Sequence, residues 1–404
     1  MRVLISAYTC ETGRGSEGEI GWRLVHELAK RHDVHVIVRA NLRPVHEAEL
    51  LKSPRPERLS FEYFDLPWIF RFYKKGKRFF LIYYYLWQIG VGLKAWQLQR
   101  QKEYDVFHHL IGGMDWMPAG LAFCPGPFVW GPVGSEDTHP IILRHLSRRS
   151  RMKEKLRVAL RFLLRTCDPF TRFTAFRADI VLSHTPENLP TRLGSKVRFA
   201  TQTGIADHPS LARAKADLSR GAVLRLLYAG ELKDWKGARM ALDAALRYFE
   251  TDPNAELEII GDGPLRDDML AVAGANPHGD RVHFRGRTSM PQLVDALHEA
   301  DVFLYPSFHH GLATVVLQAM LTGLPIICIE GDATGRAVRQ EAGITVNLSK
   351  ERDPADDIAA AIKALASDEP RRQALAMASR RIALDRYSYA RLCQQTEDIY
   401  KKLI

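Results

Sequence analysis

The segment from Tyr305 to Pro325, YPSFHHGLATVVLQAMLTGLP, carries the clearest chemical signal in this chain of 404 residues. A short apolar strand ends at Tyr305, a turn with two histidines follows, and a helix is predicted from about Ala313 to Gly323. The first turn of a helix leaves amide groups without partners and carries the positive end of the helix dipole. This order of strand, turn and helix therefore predicts a site for an anionic group, above all a phosphate.

Three further segments of the second half follow predicted strands and combine glycine with charged residues. They read YAGELKDWKG (228–237), IIGDGP (259–264) and RGR (285–287). Gly261 and Gly263 would let the backbone approach a ligand closely, and Lys236 would supply a positive charge. A structural turn or an ordinary surface lysine explains any one segment alone, whereas the ordered set favours a ligand site.

A glycine-rich loop also follows the first predicted strand. Residues 13–18 read GRGSEG and match the spacing G-x-G-x-x-G, which by itself suggests a dinucleotide. The loop is long, however, and the second strand ends at Arg39 rather than at an acid that would hold a ribose; an arginine there leaves NADP open. We favour a phosphate-facing loop with Gly15 and Ser16 in contact with the ligand. A flexible turn that binds no ligand is the alternative.

Strands and helices alternate along nearly the whole chain, which predicts parallel sheets with right-handed crossovers. The segment after Gly204 is polar and is interpreted as a linker between two domains, 1–205 and 206–386. Two doubly wound domains place ligands at the carboxyl ends of their strands, so we expect a central cleft that both sheets face.

Composition limits the class of protein. The chain has 57 Lys plus Arg against 47 Asp plus Glu, a net charge of +10, which favours anionic partners. Its five cysteines are widely spaced and are interpreted as reduced thiols, as expected for a cytosolic protein. Met1 leads straight into a strand, so no signal peptide is expected. The longest apolar stretch, from Phe79 to Leu93, is too short to cross a bilayer.

The ordered motifs of the second half resemble the nucleotide-sugar signature of family-4 retaining glycosyltransferases, which have the GT-B fold. Lys236 occupies the position of the lysine that this family directs toward the diphosphate, and Glu231 stands in place of its arginine. The two signature glutamates of the family are replaced by His310 and Gln318. A carboxylate about 4 Å from a phosphate would cost about 4 kcal/mol at an effective dielectric of 20, so we expect Glu231 to turn away, to pair with a base such as Arg239 or Lys233, or to signal altered donor binding.

The resemblance implies the GT-B fold, with two Rossmann-like doubly wound domains: an acceptor-binding domain 1–205, completed by a crossover helix at 387–404, and a nucleotide-sugar-binding domain 206–386. It implies catalytic roles for His108, at the end of a strand near the transferred sugar, and for His310, although a structural histidine remains the alternative for each. Glu17 and Glu136 become candidates for acceptor contacts. The donor-binding residues that it implies are Gly15, Ser16, Glu231, Lys236, Gly261, Gly263, Arg287, Ala313, Thr314, Val315, Val316 and Gln318.

Two basic stretches suggest a surface for membranes. The first begins at Arg71 and ends at Arg78, just before the aromatic apolar stretch, and the second begins at Arg144 and ends at Arg172 with only two acids, Glu154 and Asp168. In the second stretch leucines at helical spacing alternate with arginines, which is typical of a basic amphipathic helix on an anionic membrane. RNA binding and a helix packed on its leucine face are the alternatives, and we expect no nucleic-acid partner.

The resulting hypothesis is a bacterial retaining glycosyltransferase that moves a sugar from a nucleotide diphosphate to a hydroxyl and uses neither a metal nor another cofactor. The acceptor is expected to be a lipid-linked glycan or a polysaccharide precursor, and the protein to be cytoplasmic on the inner face of the cell membrane. The main alternative is a nucleotide-sugar-binding protein of an assembly complex without turnover. An epimerase or hydrolase of the same fold and an NADP oxidoreductase are more distant alternatives.

Overall fold

A computed structural model describes the chain from Met1 to Ile404 except residues 13–15, 53–55, 75, 77, 135–147, 202, 206–220, 309–310, 332, 340 and 350. The chain divides into two compact units. The first comprises Met1–Ser135, Leu156–Gly204 and Tyr389–Ile404, and the second comprises Glu136–Lys155 and Ile205–Ser388.

The first unit contains a parallel seven-stranded sheet with the strand order β3-β2-β1-β4-β5-β6-β7. The chain leaves β1 to one side and crosses to β4 on the other, so the switch point lies between β1 and β4, where doubly wound sheets bind ligands. The strands are β1 Arg2–Ala7, β2 Asp33–Arg39, β3 Leu59–Phe64, β4 Val106–Ile111, β5 Phe128–Val133, β6 Ile180–Ser183 and β7 Val197–Phe199.

The second unit contains a parallel six-stranded sheet with the order β10-β9-β8-β11-β12-β13 and the same kind of switch point between β8 and β11. Its strands are β8 Leu224–Ala229, β9 Ala255–Ile260, β10 Val282–Gly286, β11 Val302–Tyr305, β12 Ile326–Ile329 and β13 Gly343–Val346. These short strands are rich in Val, Ile and Leu because both faces of the sheet are covered by helices.

Helices of the first unit are α1 Ser16–Ala29, α2 Arg43–Lys52, α3 Phe80–Gln99 and α5 Pro169–Arg177, together with the last helix of the chain, α13 Tyr389–Lys401. Helix α4, Arg148–Cys167, belongs to the second unit up to Lys155 and to the first unit from Leu156. Helix α13 packs on α1 and buries Cys393 and Tyr400 in the core of the first unit.

The second unit has helices between its strands and at its end. They are α6 Ala238–Phe249, α7 Arg266–Ala275, α8 Met290–Glu299, α9 Thr314–Thr322, α10 Ala333–Val338, α11 Pro354–Ser367 and α12 Glu369–Tyr387. A single large core of buried side chains lies between these helices and the sheet.

Strands β3, β7 and β13 were not predicted from the sequence. Strand β3 reads LSFEYF, with most of its residues partly exposed, so its hydrophobic pattern is weak. The aromatic stretch after residue 79 forms helix α3, which buries Tyr84 and Trp87 completely. Among the described residues, the hydropathy of every helix is too low, or its length too short, for it to cross a membrane.

Candidate functional site

A pocket of about 380 Å³ lies at the carboxyl edge of the second sheet. Gly230 follows β8, Gly261 follows β9 and Arg287 follows β10, and Val315 comes from the first turn of α9. The structure therefore brings together residues from the strand-turn-helix and from the three glycine segments, which are far apart in the chain. The remaining lining residues are Ala229, Glu231, Ile260, Asp262, Thr288 and Leu293.

The turn that carries Lys236 is held against the segment that leads into α9. The hydroxyl of buried Tyr228 donates to the carbonyl of Lys236 at 3.2 Å. The amide of Phe308 donates to the carbonyl of Trp235 at 2.9 Å. Gly237 has φ +71, and a Cβ there would lie 1.9 Å from the carbonyl oxygen of Pro306. Only glycine permits this close approach, so Gly237 places the lysine turn beside the turn before α9.

Helix α9 begins at Thr314 with Ala313 as its N-cap residue, and no side chain caps it. The amides of Thr314 and Val315 lie in the first turn and have no carbonyl of the helix to bond. The amide of Val316 was expected to be available as well, but it donates to the carbonyl of Ala313 at 3.0 Å. The hydroxyl of Thr314 is buried without a hydrogen-bond partner among the described residues. At this helix end the amides of Thr314 and Val315 therefore remain available to an anion, whereas the amide of Val316 does not.

Glu231 pairs with Lys233 at 2.5 Å, one of the outcomes expected from the sequence. The carboxylate of Glu231 is about half exposed, so the ion pair contributes little to folding. The pair nevertheless cancels the negative charge of Glu231 at the edge of the pocket. An anionic ligand can therefore approach without the full repulsion that an isolated carboxylate would exert.

Asp262 and Arg287 also line the pocket, and only one of them was predicted. Arg287 was predicted, and its Nε lies 3.7 Å from Asp262, which was not predicted. The signal for Asp262 was its place between the two glycines of IIGDGP. Of those glycines, Gly263 does not line the pocket: a Cβ on it would lie 2.5 Å from the carbonyl oxygen of Leu232, so it serves the packing of two loops.

Gln318 lies one turn into α9 and is almost buried. Its side-chain amide donates to the sulfur of Met290 on α8 at 3.6 Å, and it is not among the residues that line the pocket. A contact between Gln318 and a ribose therefore needs a rotation of the side chain away from Met290.

Several predicted residues lie outside the described part of the chain. Gly15, Glu136 and His310 are among the residues that the structure leaves out, and the side chain of Ser16 is left out as well, although its backbone begins α1. In the described part of the chain, no cluster of three His, Cys, Asp or Glu side chains is arranged to hold a metal ion.

Glu17 lies in the first turn of α1, in the first unit. Its carboxylate accepts a hydrogen bond from the backbone of Gly112, which follows β4. The structure therefore places Glu17 at the switch point between β1 and β4, where a ligand of the first unit would bind.

His108 was predicted to act near the transferred sugar, and the geometry of the described residues does not support that role. Its side chain is completely buried. Nδ1 lies 2.6 Å from the hydroxyl of Tyr400, and Nε2 lies 2.6 Å from the carbonyl oxygen of Gly131. Both ring nitrogens are occupied, so His108 ties β4 to α13 and β5. The neighbouring His109 is also buried, against Ser6 and Tyr84.

We expect the protein to lose stability as the pH falls from about 6.5 to about 4. Burial lowers the pKa of His108 from 6.5 to about 4, although its bond to Gly131 acts in the opposite direction. Between these two pH values the ring is protonated in the unfolded chain but not in the folded chain. The buried neutral ring therefore contributes its full stabilisation above pH 6.5, and this part of the free energy of unfolding is lost as the pH falls. Burial lowers the pKa of further histidines in the same direction, namely His26, His32, His35, His46 and His109.

Urea unfolding at pH 7.5 and pH 5 measures this effect. His108→Gln is expected to be less stable than the parent at pH 7.5 but to lose less stability on acidification, because one titrating ring is gone. The matched control is His283→Gln, since this ring is about half exposed. A parent protein equally stable at both pH values would contradict the burial argument.

Helix α4 packs Leu160 and Leu164 on the core of the first unit, as one alternative expected, but it also turns some of its arginines inward. Arg161 is buried and Arg165 forms an ion pair with buried Asp115, while burial, followed by the charge of Arg161, lowers the pKa of Arg157 to about 10. The prediction that these arginines face an anionic surface is therefore wrong for Arg161 and Arg165. The exposed apolar residues of α4 are Met152, Leu156, Val158, Phe162 and Leu163.

Several known proteins are similar to this chain. Residues 224–368 match the family model described as Glycosyl transferases group 1. The glycogen synthase of Mycobacterium tuberculosis is 29% identical over 175 residues, which are 43% of this chain and 42% of that protein. The lipopolysaccharide core biosynthesis glycosyltransferase LpsE of Rhizobium meliloti is 27% identical over 215 residues, 51% of this chain and 59% of that protein. The chain thus spans well under two thirds of the length of these relatives.

The whole chain is similar in structure to HepE of Anabaena, solved in complex with UDP. The TM-score is 0.64, and the superposition covers 100% of both chains at 16% identity, a likeness that shows the fold alone. The predicted fold class, two doubly wound parallel-sheet domains, is confirmed. The chain therefore has the fold of HepE, and its residues 224–368 are similar to the glycosyl transferases of group 1.

Proposed function

We propose that this protein is a retaining glycosyltransferase that moves a sugar from a nucleotide diphosphate to a hydroxyl of a lipid-linked glycan or polysaccharide precursor. The observation that carries the proposal is the pocket at the edge of the second sheet. There Arg287, two glycine loops and the first turn of α9 converge, and the lysine turn is tied to the segment before that helix.

In this proposal the second unit holds the donor. The diphosphate lies against the amides of Thr314 and Val315, and the ammonium group of Lys236 balances its charge. As the bond to the sugar breaks, negative charge grows on the leaving phosphate, so fixed donors at that point favour the transition state over the ground state. The two amides and Lys236 are proposed to balance the charge of the diphosphate without a metal ion. UDP is the first nucleotide to test, because HepE was crystallised with it.

A nucleotide-sugar-binding protein without turnover is the second candidate. Gln318 cannot supply the negative charge of the glutamate that it replaces, and its amide lies against Met290. Glu231 stands where the family has an arginine and is engaged with Lys233. In this second candidate the two replacements lower the rate of transfer more than they lower the affinity for the nucleotide.

Incubation with a panel of nucleotide sugars separates the two candidates. Release of nucleotide, with and without an added lipid-linked acceptor, measures turnover, and NMR of the product gives the anomeric configuration. Tight binding of UDP with no release from any donor would favour the binding protein. A product of inverted configuration would end the retaining assignment.

We also propose that the first unit rests on an anionic membrane surface, on the cytoplasmic side. The support is a group of exposed apolar side chains between β3 and α3, with Trp68 70% exposed and Phe72 58% exposed. Arg71 and Arg78 lie in the same segment, and Arg71 also bonds Asp65. Interfacial aromatic rings with neighbouring cations are typical of proteins that lie on anionic lipid. In α4 the apolar residues, rather than Arg161 and Arg165, would contact the lipid.

Sedimentation with vesicles tests the membrane proposal. We expect binding to phosphatidylglycerol vesicles at low salt, weaker binding at high salt, and little binding to phosphatidylcholine. The double variant Trp68→Ser, Phe72→Ser should bind more weakly by about a hundredfold or more, since burial of each ring contributes about 1.5–3 kcal/mol. The control is Met377→Ser, an exposed apolar residue of α12 in the second unit. Equal binding by the double variant and the parent would refute this surface.

A further inference from the structure

Two cations share one aromatic ring at the carboxyl edge of the first sheet. Tyr8 directly follows β1, Arg39 ends β2, and Lys74 lies in the loop between β3 and α3. The guanidinium carbon of Arg39 lies 4.3 Å from the ring centroid of Tyr8, and its Nε donates to the carbonyl of Tyr8 at 2.9 Å. Nζ of Lys74 donates to the hydroxyl of Tyr8 at 3.3 Å and lies 3.9 Å from the ring centroid of Tyr83.

The nearby acid is already engaged. Asp65 accepts from the hydroxyl of Tyr83 at 2.5 Å and from the amide of Leu66 at 2.8 Å, and it forms an ion pair with Arg71 at 2.9 Å. Within the part of the chain that the structure describes, neither Arg39 nor Lys74 forms an ion pair with a carboxylate. The cluster therefore carries two positive charges whose direct contacts are a carbonyl, a hydroxyl and aromatic faces.

The positive charges of Arg39 and Lys74 repel each other. Both cations are only partly exposed. Burial lowers the pKa of Lys74, the charge of Arg39 lowers it further, and Asp65 opposes both. An oxyanion placed between the two cations would remove their repulsion and would gain charge-assisted hydrogen bonds, two of them from the arginine fork.

The position also suits a ligand. The carboxyl ends of parallel strands are where doubly wound sheets bind small molecules. Tyr8 is itself buried and is contacted by the rings of Phe80, Tyr84 and Trp87, so the ring that supports the cations is fixed by packing. Fixed donors lose little conformational entropy on binding, which favours recognition over a loose surface attraction.

We propose that Arg39 and Lys74 form a subsite for an oxyanion, a phosphate or a carboxylate carried by the acceptor. The assignment of the anion to the acceptor rests on the function proposed above, whereas the existence of the subsite does not. The acceptor class is thereby narrowed to anionic molecules, such as a phosphorylated lipid-linked sugar or a uronic acid.

Calorimetric titration of the full chain with inorganic phosphate, and separately with glucuronate, tests the subsite. The titrations use a Lys236→Ala background, so that the donor pocket contributes less to phosphate binding. Arg39→Gln and Lys74→Met should each weaken anion binding by about tenfold, whereas Lys74→Arg should keep most of it. The matched control is Arg100→Gln, because Arg100 also lies over a ring in this unit, 3.5 Å from the centroid of Trp96.

The outcomes are distinct. A loss of binding in Arg39→Gln and Lys74→Met, with Arg100→Gln unchanged, supports the subsite, and the stronger of the two anions identifies the acceptor group. No binding of either anion by the background protein, or equal binding by all variants, overturns it. Melting temperatures check that each variant is folded. If Lys74→Met unfolds, the anion affinity of Lys74→Arg tests the subsite in its place. UDP binding, measured in the same variants with Lys236 restored, tests the donor site separately, so failure of one proposal does not appear as failure of the other.

Discussion

Replacement of Lys236 by alanine is expected to weaken UDP binding by more than about tenfold, because the variant loses a cation held close to the proposed diphosphate position. The turn that carries Lys236 is fixed by Tyr228 and by the close approach of Gly237 to Pro306. The ammonium group therefore acts from a defined backbone position rather than from a flexible surface loop. Calorimetric titration with UDP measures the loss.

Two controls make this result specific. Lys363→Ala removes an exposed lysine of α11 from the same unit and should leave UDP affinity unchanged. Uridine, which has no phosphate, should bind the parent and Lys236→Ala equally well. If the lysine variant bound UDP as tightly as the parent, or lost uridine to the same extent, the diphosphate would not lie at this turn.

Replacement of Gly261 by alanine is expected to destabilise the second unit by about 3 kcal/mol or more, the sum of backbone strain and a clash in a packed region. Gly261 has φ +139, and a Cβ on it would lie 1.9 Å from the carbonyl oxygen of Gly230. The amide of Gly261 donates to the carbonyl of Gly286 at 2.8 Å, so this residue joins the loops after β8, β9 and β10. Urea unfolding measures the loss of stability.

Gly286→Ala is the matched control for this prediction. Gly286 also has a positive φ, +68, but a Cβ there would meet nothing within 4 Å. Its replacement should cost only about 1 kcal/mol, the ordinary penalty for a left-handed residue with a side chain. Equal destabilisation by the two variants would mean that the clash with Gly230 is relieved by a small backbone shift.

Much of the second unit could be predicted from local patterns. Strand ends, glycine loops and the start of α9 all follow from residues that are neighbours in the chain. Gly230, Gly261 and Val315 converge in one pocket because all parallel strands of a sheet end at the same edge. That rule needs only the order of the elements, so the convergence of these segments was predictable.

The environment of individual side chains was not predictable in the same way. His108 has the right residue type at a strand end, yet its ring is enclosed by Tyr400, a residue almost 300 positions later in the chain. The arginines of α4 resemble an exposed basic face because nothing in their own segment shows that Asp115 lies behind them. The amide of Val316 was expected to bind the anion, but it donates to the carbonyl of the N-cap residue instead.

The sequence by itself determined the two doubly wound sheets, the edge at which each would bind a ligand, and the lysine and helix amides proposed for the diphosphate. These follow from short-range periodicity and from turn chemistry. Only the tertiary structure decided that His108 is buried, that Glu231 is paired with Lys233, and that Arg39 and Lys74 meet over Tyr8. Those outcomes depend on contacts between distant segments, because burial and charge pairing are properties of the packed chain and not of any one stretch of it.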